Sequence, residues 1–474
     1  FVEFRAAYIT DCVKYYADQF RKHGIEVPQY TNIYDSFAVQ DALALSKVVD
    51  LVGMDAYPAN EFRTKTFLSG DDRDQRRMGE YFRYLRTFSE TAYLAEYEAG
   101  IAHGLHYFTG VVFPNHIAIT NLTAIQSGVH AWNWFMVVNH DNFMMCPINE
   151  WGRRQGELFR VFSEIVSLYK QMNVPDLEKL TETCLFFYVR HQLGGCAEND
   201  PASAALYEAG LDYELYNPET GKVSKPLMFY SGANWLPRNL QENLCNYVEA
   251  GGHLVFFQTL PLFDEDNNEA NLLGLIKPDR IPNEPFLSHL ATETEMELAG
   301  VKARTRAPFF VYDYPTPGLP IYAERVHGNI PNTDFEENRY LRSLVIGQRY
   351  QIGYHEKRGE GSITVLGVRP APAFVRAIQR YLKVPAPILS QNRAVKAALF
   401  RGEGAYYAVL INIEDYPVDA AVDIDLALLG KGKFSARSLR KSIEVNDREL
   451  NQGRFYVTLP RKNGTVVRVE LEKK

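Results

Sequence analysis

The stretch TAYLAEYEAG at Thr91–Gly100 decides how the rest of the chain is interpreted. It opens with a short, mostly apolar run, Ala92–Ala95, which is long enough for a buried strand, and it continues into two carboxylates, Glu96 and Glu98. Parallel (β/α) folds present catalytic groups in this way, at the C-terminal ends of buried strands. Strand side chains alternate between two faces, so both acids share a face if the strand includes them. We expect the strand to end near Glu96; ten residues alone leave open an ordinary strand end with solvated acids.

Composition indicates an ordinary folded protein with more than one domain. The 474 residues are 46% hydrophobic and 23% charged, and the net charge is −7, which argues against nucleic acid as a partner. The five cysteines are widely spaced and include no C-x-x-C pair. This pattern favours neither a disulfide framework nor a zinc site, so we expect a reducing, cytoplasmic location. No apolar run reaches transmembrane length, and no membrane partner is expected.

Residues 1–175 alternate between strands and helices four times. The predicted strands are Pro28–Ile33, Val48–Met54, Thr91–Glu96 and His130–Asn139. Their continuous apolar character predicts a parallel sheet that is covered by helices. Four such units are half of a (β/α)8 TIM barrel, and half a barrel has two open edges. We therefore expect four further units upstream or on another chain.

Two more domains follow in this α/β multidomain prediction. Residues 176–385 alternate strands and helices in a doubly wound α/β pattern, with a β-rich insertion around 285–345. Residues 386–474 contain short β-like runs between turn residues, at the spacing of a β-sandwich. Cys196 lies in a loop rich in Gly and acids rather than at a strand-to-helix elbow. We interpret it as a structural thiol and not as a nucleophile.

The ends of the four N-terminal strands are expected to bring polar and aromatic side chains to one mouth. These residues are Asn32, Asp55, Tyr57, Glu96, Trp134, Asn139 and His140. Carboxylates for acid–base and nucleophilic chemistry, amides for hydroxyl groups and rings for the apolar sugar face suit a carbohydrate. Each positioning residue could instead pack the mouth of a barrel.

Three histidines near this mouth raise the question of a metal. His103, His106 and His116 share one region but have no paired acid at ligand spacing. We interpret them as solvated or loop-packing residues. We expect no metal, and the sugar chemistry needs no cofactor. No nucleotide-binding glycine motif is present in the sequence.

Several motifs resemble the retaining glycoside hydrolases of the family 35/family 42 group, and most closely family 35. AEYEAG resembles the nucleophile strand, where a Glu is followed by an aromatic residue and, four positions on, by a Gly; this register selects Glu96. NWFMVVNHDNF at Asn133–Phe143 is similar to the last barrel strand, and VPQYTNI at Val27–Ile33 to the fifth. YVEAGGHLVFFQTLP at Tyr247–Pro261 resembles the amidotransferase-like domain that follows the barrel in many of these enzymes.

The resemblance implies a retaining exo-β-glycosidase, foremost a β-galactosidase, in which Glu96 forms a covalent glycosyl-enzyme. The residues expected to bind the substrate are Asn32, Asp55, Tyr57, Trp134 and Asn139. In this family the acid/base Glu follows an Asn at the end of the fourth barrel strand. None of the Asn-Glu pairs, at 60–61, 149–150, 268–269 and 283–284, matches that place. We therefore expect strands one to four and the acid/base Glu to lie outside this sequence, on the same or another chain.

Two alternatives stay open. An exo-β-glucosaminidase of the same architecture could hold an amine with an extra acid, such as Asp55 or Glu98. A carbohydrate-binding or structural remnant would lack hydrolysis altogether. From the family we also expect a homo-oligomer, in which the two C-terminal domains shape the entrance and the subunit interface.

Overall fold

A computed structural model describes most of the chain. The described residues are 2–33, 40–58, 72–102, 113–140, 143–194, 201–221, 223, 225–279, 292–298, 301–306, 310–312, 318–328, 349–430 and 432–472. The chain divides into two compact units. The first comprises Phe1–Thr181 and Ala386–Lys474, and the second comprises Glu182–Pro385. The separation of 1–175 from 386–474 as independent domains stays a prediction.

A four-stranded parallel sheet forms the N-terminal part of the first unit. In chain order the elements are α1 (Val2–Lys22), β1 (Tyr30–Ile33), α2 (Ala42–Ser46), β2 (Leu51–Ala56), α3 (Asp72–Leu85), β3 (Tyr93–Glu98), β4 (Ile101–Ala102), α4 (Pro114–Gln126), β5 (Ala131–Phe135), β6 (Phe143–Met144) and α5 (Gly156–Met172). The sheet has the order β1-β2-β3-β5 with every pair parallel, and β4 and β6 pair separately as antiparallel strands. Parallel strands end at the same edge, so the C-terminal ends of β1, β2, β3 and β5 lie together.

The second unit contains a mixed nine-stranded sheet. After a short strand of the first unit, β7 (Glu178–Leu180), its elements are β8 (Thr183–Phe186), α6 (Val189–Leu193), α7 (Pro201–Ala209), β9 (Glu214–Tyr216), β10 (Leu227–Tyr230), α8 (Arg238–Glu249), β11 (His253–Phe257), β12 (Thr292–Leu298), β13 (Val301–Arg306), β14 (Leu319–Gly328), β15 (Tyr350–Arg358), β16 (Gly361–Leu366) and α9 (Pro372–Tyr381). The strand order is β13-β12-β14-β15-β16-β11-β10-β8-β9. The strands from β16 to β9 are parallel and those from β13 to β16 antiparallel. The continuous apolar runs of β8 and β10 are fully buried, as expected for central parallel strands.

The C-terminal part of the first unit is built from two antiparallel sheets. Its elements are β17 (Ile388–Ser390), β18 (Val395–Gly402), β19 (Ala405–Asn412), β20 (Val418–Ile424), α10 (Leu426–Leu429), β21 (Phe434–Ser438), β22 (Val445–Asn446), β23 (Arg454–Leu459) and β24 (Asn463–Leu471). One sheet has the order β17-β20-β23-β22, and the other has the order β21-β24-β19-β18-β7. Both sheets contribute to one apolar core, which includes Leu399, Leu410, Val422 and Phe455.

Helix α4 connects the two parts of the first unit. Every residue from His116 to Gln126 is buried. The Gln126 side-chain amide donates to the backbone oxygens of Lys396 and Val409, at 3.1 and 3.4 Å. A helix buried on all sides needs cover on the face turned away from its own sheet. The C-terminal sheet β21-β24-β19-β18-β7 supplies that cover, because its strands β19 and β24 pack against α4.

No described helix combines the length and the apolar character that crossing a membrane requires.

Substitution of Gly100, the last residue of the AEYEAG stretch, tests how tightly the first unit is packed at this position. A Cβ at this position would lie 2.9 Å from the backbone oxygen of Met144 and would also collide with the buried Cys146. Because backbone cannot yield cheaply, we expect Gly100→Ala to lower the free energy of unfolding by about 1–3 kcal/mol. Urea denaturation measures this loss.

The matched control is Gly156→Ala. Gly156 opens α5 and has nothing within 4 Å of its added Cβ, so alanine is expected to be neutral or slightly stabilising there. An equal loss in both variants would show that the tight contact at Gly100 is not the cause.

Candidate active site

Strand β3 carries Glu96 and continues past it. The strand runs through Glu98, so the expectation that it ends near Glu96 is wrong. Its register against β2 shifts at one point: Met54 lies opposite Leu94, but Asp55 lies opposite Glu96. The register against β5 shifts over the same interval. Ala95 is therefore the extra residue of a β-bulge, a device that redirects side chains at the ends of strands.

Glu96 is held by donors from the two preceding strands of the sheet. The Tyr57 hydroxyl, immediately after β2, donates to Glu96 Oε2. The Asn32 side-chain amide, on β1, donates to Glu96 Oε1 at 3.5 Å, at the long limit of a hydrogen bond. The carboxylate is half-buried. Three of the residues predicted from sequence thus meet at the C-terminal edge of the sheet.

Tyr57 is fixed as a hydrogen-bond donor by its surroundings. Burial is the largest cause that raises its pKa well above the usual range of a phenol, followed by the hydrogen bond to Glu96 and the negative charges of Glu96, Asp55 and Glu98. A tyrosine with a raised pKa keeps its proton to higher pH. Its hydroxyl therefore continues to donate to Glu96 throughout the neutral range. Asp55, also half-buried and opposite Glu96 in register, adds negative charge beside it.

Glu98 is a buried acid with a histidine partner. Its Oε2 lies 3.4 Å from His116 Nε2, and each side chain is only 1% exposed. His116 lies in the first turn of α4, so the interpretation of this residue as solvated or loop-packing is wrong. The sequence could not show this pairing, because the two residues come from different elements. Glu98 is closed off from water, which argues against its use in binding the amine of an amino sugar.

Trp134 occupies the opposite face of the sheet from Glu96. It lies opposite Tyr97 in register, its indole N–H donates to Asn121 of α4 at 3.1 Å, and its ring lies 4.8 Å from that of Phe162 of α5. Residues paired across parallel strands share a face, and Glu96 and its neighbour Tyr97 point to opposite faces. The indole packs against helices, so its predicted role as a sugar platform is corrected.

Phe135 is the aromatic residue that the sequence analysis missed. It lies opposite Glu98 in register. Its ring lies 6.1 Å from that of Tyr57 and 5.3 Å from that of Phe143, in edge-to-face geometry in both cases. The period of two along β5 separates Phe135 from Trp134, but only the register with β3 shows which of them faces Glu96.

Asn139 holds a loop together. Strand β5 ends at Phe135, four residues earlier than predicted, and Asn139 follows it in the loop. Its side-chain oxygen accepts from the Cys146 backbone N–H at 3.0 Å, and its amide donates to Glu150 at 3.4 Å. Both ends of this amide are used in the loop, which gives Asn139 a structural role, and its contact with sugar stays a prediction.

The remaining sequence candidates give no metal site in the described part of the chain. No group of three His, Cys, Asp or Glu side chains among those residues could hold a metal ion. His103, His106 and Cys196 lie outside the described residues, as do the Asn-Glu pairs at 60–61 and 283–284.

Comparison with known proteins shows a shared fold. Residues 189–276 match the family described as "GLMA-like, second domain", and no curated protein matches the sequence. The chain is similar to a β-galactosidase from Rahnella sp. R3, with a TM-score of 0.70 and 14% identity over 98% of this chain and 68% of that one. It is also similar to a GH42 β-galactosidase from G. stearothermophilus, with a TM-score of 0.68 and 12% identity over 98% of this chain and 67% of that one.

A β-galactosidase from Bacillus circulans sp. alkalophilus gives a similar result, with a TM-score of 0.68 and 14% identity over 99% of this chain and 67% of that one. The chain thus spans about two thirds of the length of these proteins. The family stated for the G. stearothermophilus enzyme is 42, whereas the sequence motifs favoured family 35. At 12–14% identity these similarities show a shared fold, and the choice between the two families stays a prediction.

The raised pKa of Tyr57 can be tested by NMR. Tyrosine is labelled with carbon-13 at Cζ, and the Tyr57 signal is identified by its loss in Tyr57→Phe. We expect this signal to keep the chemical shift of a neutral phenol from about pH 8 to about pH 11. An ordinary tyrosine titrates at about pH 10, whereas burial and the neighbouring carboxylates keep this proton in place.

The same titration in denaturant is the control, because unfolding removes both the burial and the charges. A phenolate shift with a midpoint near 10 in the folded protein would contradict the described site.

Proposed function

We propose that this chain carries the nucleophile half of a retaining exo-β-glycosidase, foremost a β-galactosidase. The observation that supports this most directly is Glu96, at the C-terminal end of a parallel strand and held by Asn32 and Tyr57. Carboxylates at this edge of a parallel sheet are where barrel enzymes carry out their chemistry. The β-galactosidases of similar fold agree with the proposal but do not by themselves assign the activity.

Glu96 acts as the nucleophile in the proposed mechanism. Oε2 is held by Tyr57, while the contact of Oε1 with Asn32 is long, so Oε1 is the oxygen that attacks the anomeric carbon. The bond to the leaving group breaks as a proton reaches the departing oxygen from an acid carboxyl. Water, deprotonated by the same group, then displaces the sugar from Glu96 with net retention.

The neighbouring side chains would shape the sugar site. The rings of Phe135 and Tyr57 form an apolar corner beside Glu96, which suits the C–H face of a pyranose. The Asn32 amide and the half-buried Asp55 carboxylate are polar groups at the same edge and can bind hydroxyl groups.

The acid/base carboxyl is proposed to come from outside this sequence. A retaining mechanism needs this second carboxyl at about 5–5.5 Å from the nucleophile. Besides Glu96, β2 and β3 carry two acids: Glu98 is closed off against His116, and Asp55 is assigned to the binding of hydroxyl groups.

Strand β1 is one of the two edge strands of the described parallel sheet. The Gln29 amide, just before β1, donates to the Ala17 backbone oxygen of α1 at 3.4 Å. Five aromatic side chains of α1 and β1 are largely exposed: Phe4 69%, Tyr8 60%, Tyr15 60%, Tyr16 62% and Tyr30 62%.

An open parallel edge next to exposed aromatic rings is a surface that further strand–helix units can cover. We propose that four such units, on the same or another polypeptide, complete a (β/α)8 barrel and carry the missing acid. The second unit is proposed to be the amidotransferase-like domain, and the C-terminal sheets a β-sandwich.

Substitution of the nucleophile tests the proposal. In the native assembly, Glu96→Gln should lower kcat for an aryl β-galactoside by about a thousandfold or more, because an amide cannot form the glycosyl ester. The amide keeps the shape of the side chain and can still accept from Tyr57, so the circular dichroism spectrum and Tm should not change. Glu90→Gln, at an exposed position just before β3, is the matched control and should keep full activity.

The outcome of this substitution and three additional measurements each decide one point. Activity that survives in Glu96→Gln would rule out Glu96 as the nucleophile. Comparison with an aryl β-glucosaminide separates the two exo-glycosidase activities. Intact masses identify every polypeptide in the preparation. A wild-type assembly that binds sugar but does not hydrolyse it would support a carbohydrate-binding role rather than a glycosidase.

A further inference from the structure

The second unit contains a cavity far along the sequence from Glu96. Its volume is about 800 Å³, within the range of about 300–1,000 Å³ typical of small-ligand sites. It lies where β8, β10 and β11 begin, since Glu182, Pro226 and Gly252 line it. One face of α8 completes the lining with Asn243, Asn246 and Tyr247, which share a helix face.

Two tyrosines give the cavity fixed aromatic walls. The Tyr247 hydroxyl donates to the backbone oxygens of Lys225 and His253, at 3.1 and 3.4 Å. A side chain at Gly252 would collide with the Tyr247 ring, so this glycine leaves room for it. The Tyr216 hydroxyl donates to the backbone oxygen of Gly221 at 2.7 Å. Both hydroxyl groups are therefore committed to the protein and both rings line the cavity.

The charges of the lining disfavour an anionic ligand. Lys225 Nζ lies 3.4 Å from Glu214 Oε2, so its charge is already paired. The lining residue Glu219 is paired with Arg190, at 3.6 Å between Oε1 and Nε. Glu182 then adds a carboxylate, and the local balance is negative. A phosphate or a carboxylate ligand would be repelled.

Three polar side chains face the cavity with free hydrogen-bonding capacity. The Glu182 carboxylate and the Asn243 and Asn246 amides line it, and none of them bonds to a protein group in the described residues. Amides donate and accept, and a carboxylate accepts from pairs of hydroxyl groups. Together with two ring walls, this is the set of groups that binds a neutral, hydroxyl-rich ring.

We propose that this cavity is a second carbohydrate site, which takes a neutral mono- or disaccharide unit. Asn243, Asn246 and Glu182 bind its hydroxyl groups, and Tyr216 and Tyr247 contact its apolar faces. The site lies entirely within the second unit and does not depend on Glu96. This site goes beyond the proposed hydrolysis, because it is a non-catalytic sugar-binding site on the same polypeptide.

A lactose titration followed by NMR tests this site. The native protein with Glu96→Gln, which prevents hydrolysis, carries tyrosine labelled with carbon-13 at Cζ, and Tyr247 is assigned by its loss in Tyr247→Phe. We expect the Tyr247 signal to shift in a saturable way as lactose is added. When Asn243→Ala and Asn246→Ala are combined in the same protein, the Kd for lactose should rise at least tenfold, because both amide contacts are lost.

The matched control is Asn239→Ala, an exposed asparagine on the same helix that does not line the cavity; it should leave the titration unchanged. No shift of Tyr247 up to the solubility limit of lactose would overturn the proposal, as would an equal shift in the double alanine variant. The Tyr57 signal reports separately on the Glu96 site, so failure of one site is distinguishable from failure of the other.

Discussion

A carboxylate withdrawn from water must be held by hydrogen-bond donors, and this constraint connects the parts of the first unit. Glu96 is held by Tyr57 and Asn32, which ties it to β2 and β1. Glu98, two residues on, is held by His116 in the first turn of α4. That helix can be buried on all sides only because the C-terminal sheet that contains β19 and β24 covers it, partly through Gln126. The strand that carries Glu96 is thus connected, through α4, to residues hundreds of positions away.

The parts of this arrangement that follow from local pattern could be predicted. Each of β1, β2 and β3 is recognisable as a short strand, and parallel strands end at one edge, so the meeting of Asn32, Tyr57 and Glu96 follows from sequence. Trp134 and Phe135 could not be told apart in this way. Which of two consecutive rings faces Glu96 depends on the bulge at Ala95 and on the register between β3 and β5, and neither is visible in one strand.

Long-range partners explain the other differences. Glu98 looked like a solvated strand end because nothing nearby in sequence pairs with it, whereas His116 does so in space. Asn139 was placed at a strand end, but its amide bonds to Cys146 and Glu150 within the following loop. Short motifs favoured family 35, while the fold of almost the whole chain is similar to that of a GH42 β-galactosidase. Fold and chemistry remain separate conclusions, and the chemistry proposed here depends on Glu96 and its two donors.

The most direct test of Glu96 is to trap the covalent intermediate. A 2-deoxy-2-fluoro-β-galactoside with a dinitrophenolate leaving group needs no proton from an acid, so the trap reports on the nucleophile alone. After incubation with the native assembly, peptide mass mapping should find one fluorogalactosyl group on the peptide that contains Glu96, and fragmentation should place it on that carboxylate. A label on Asp55, Glu98 or any other residue, or no label in a preparation that still hydrolyses galactosides, would contradict the account.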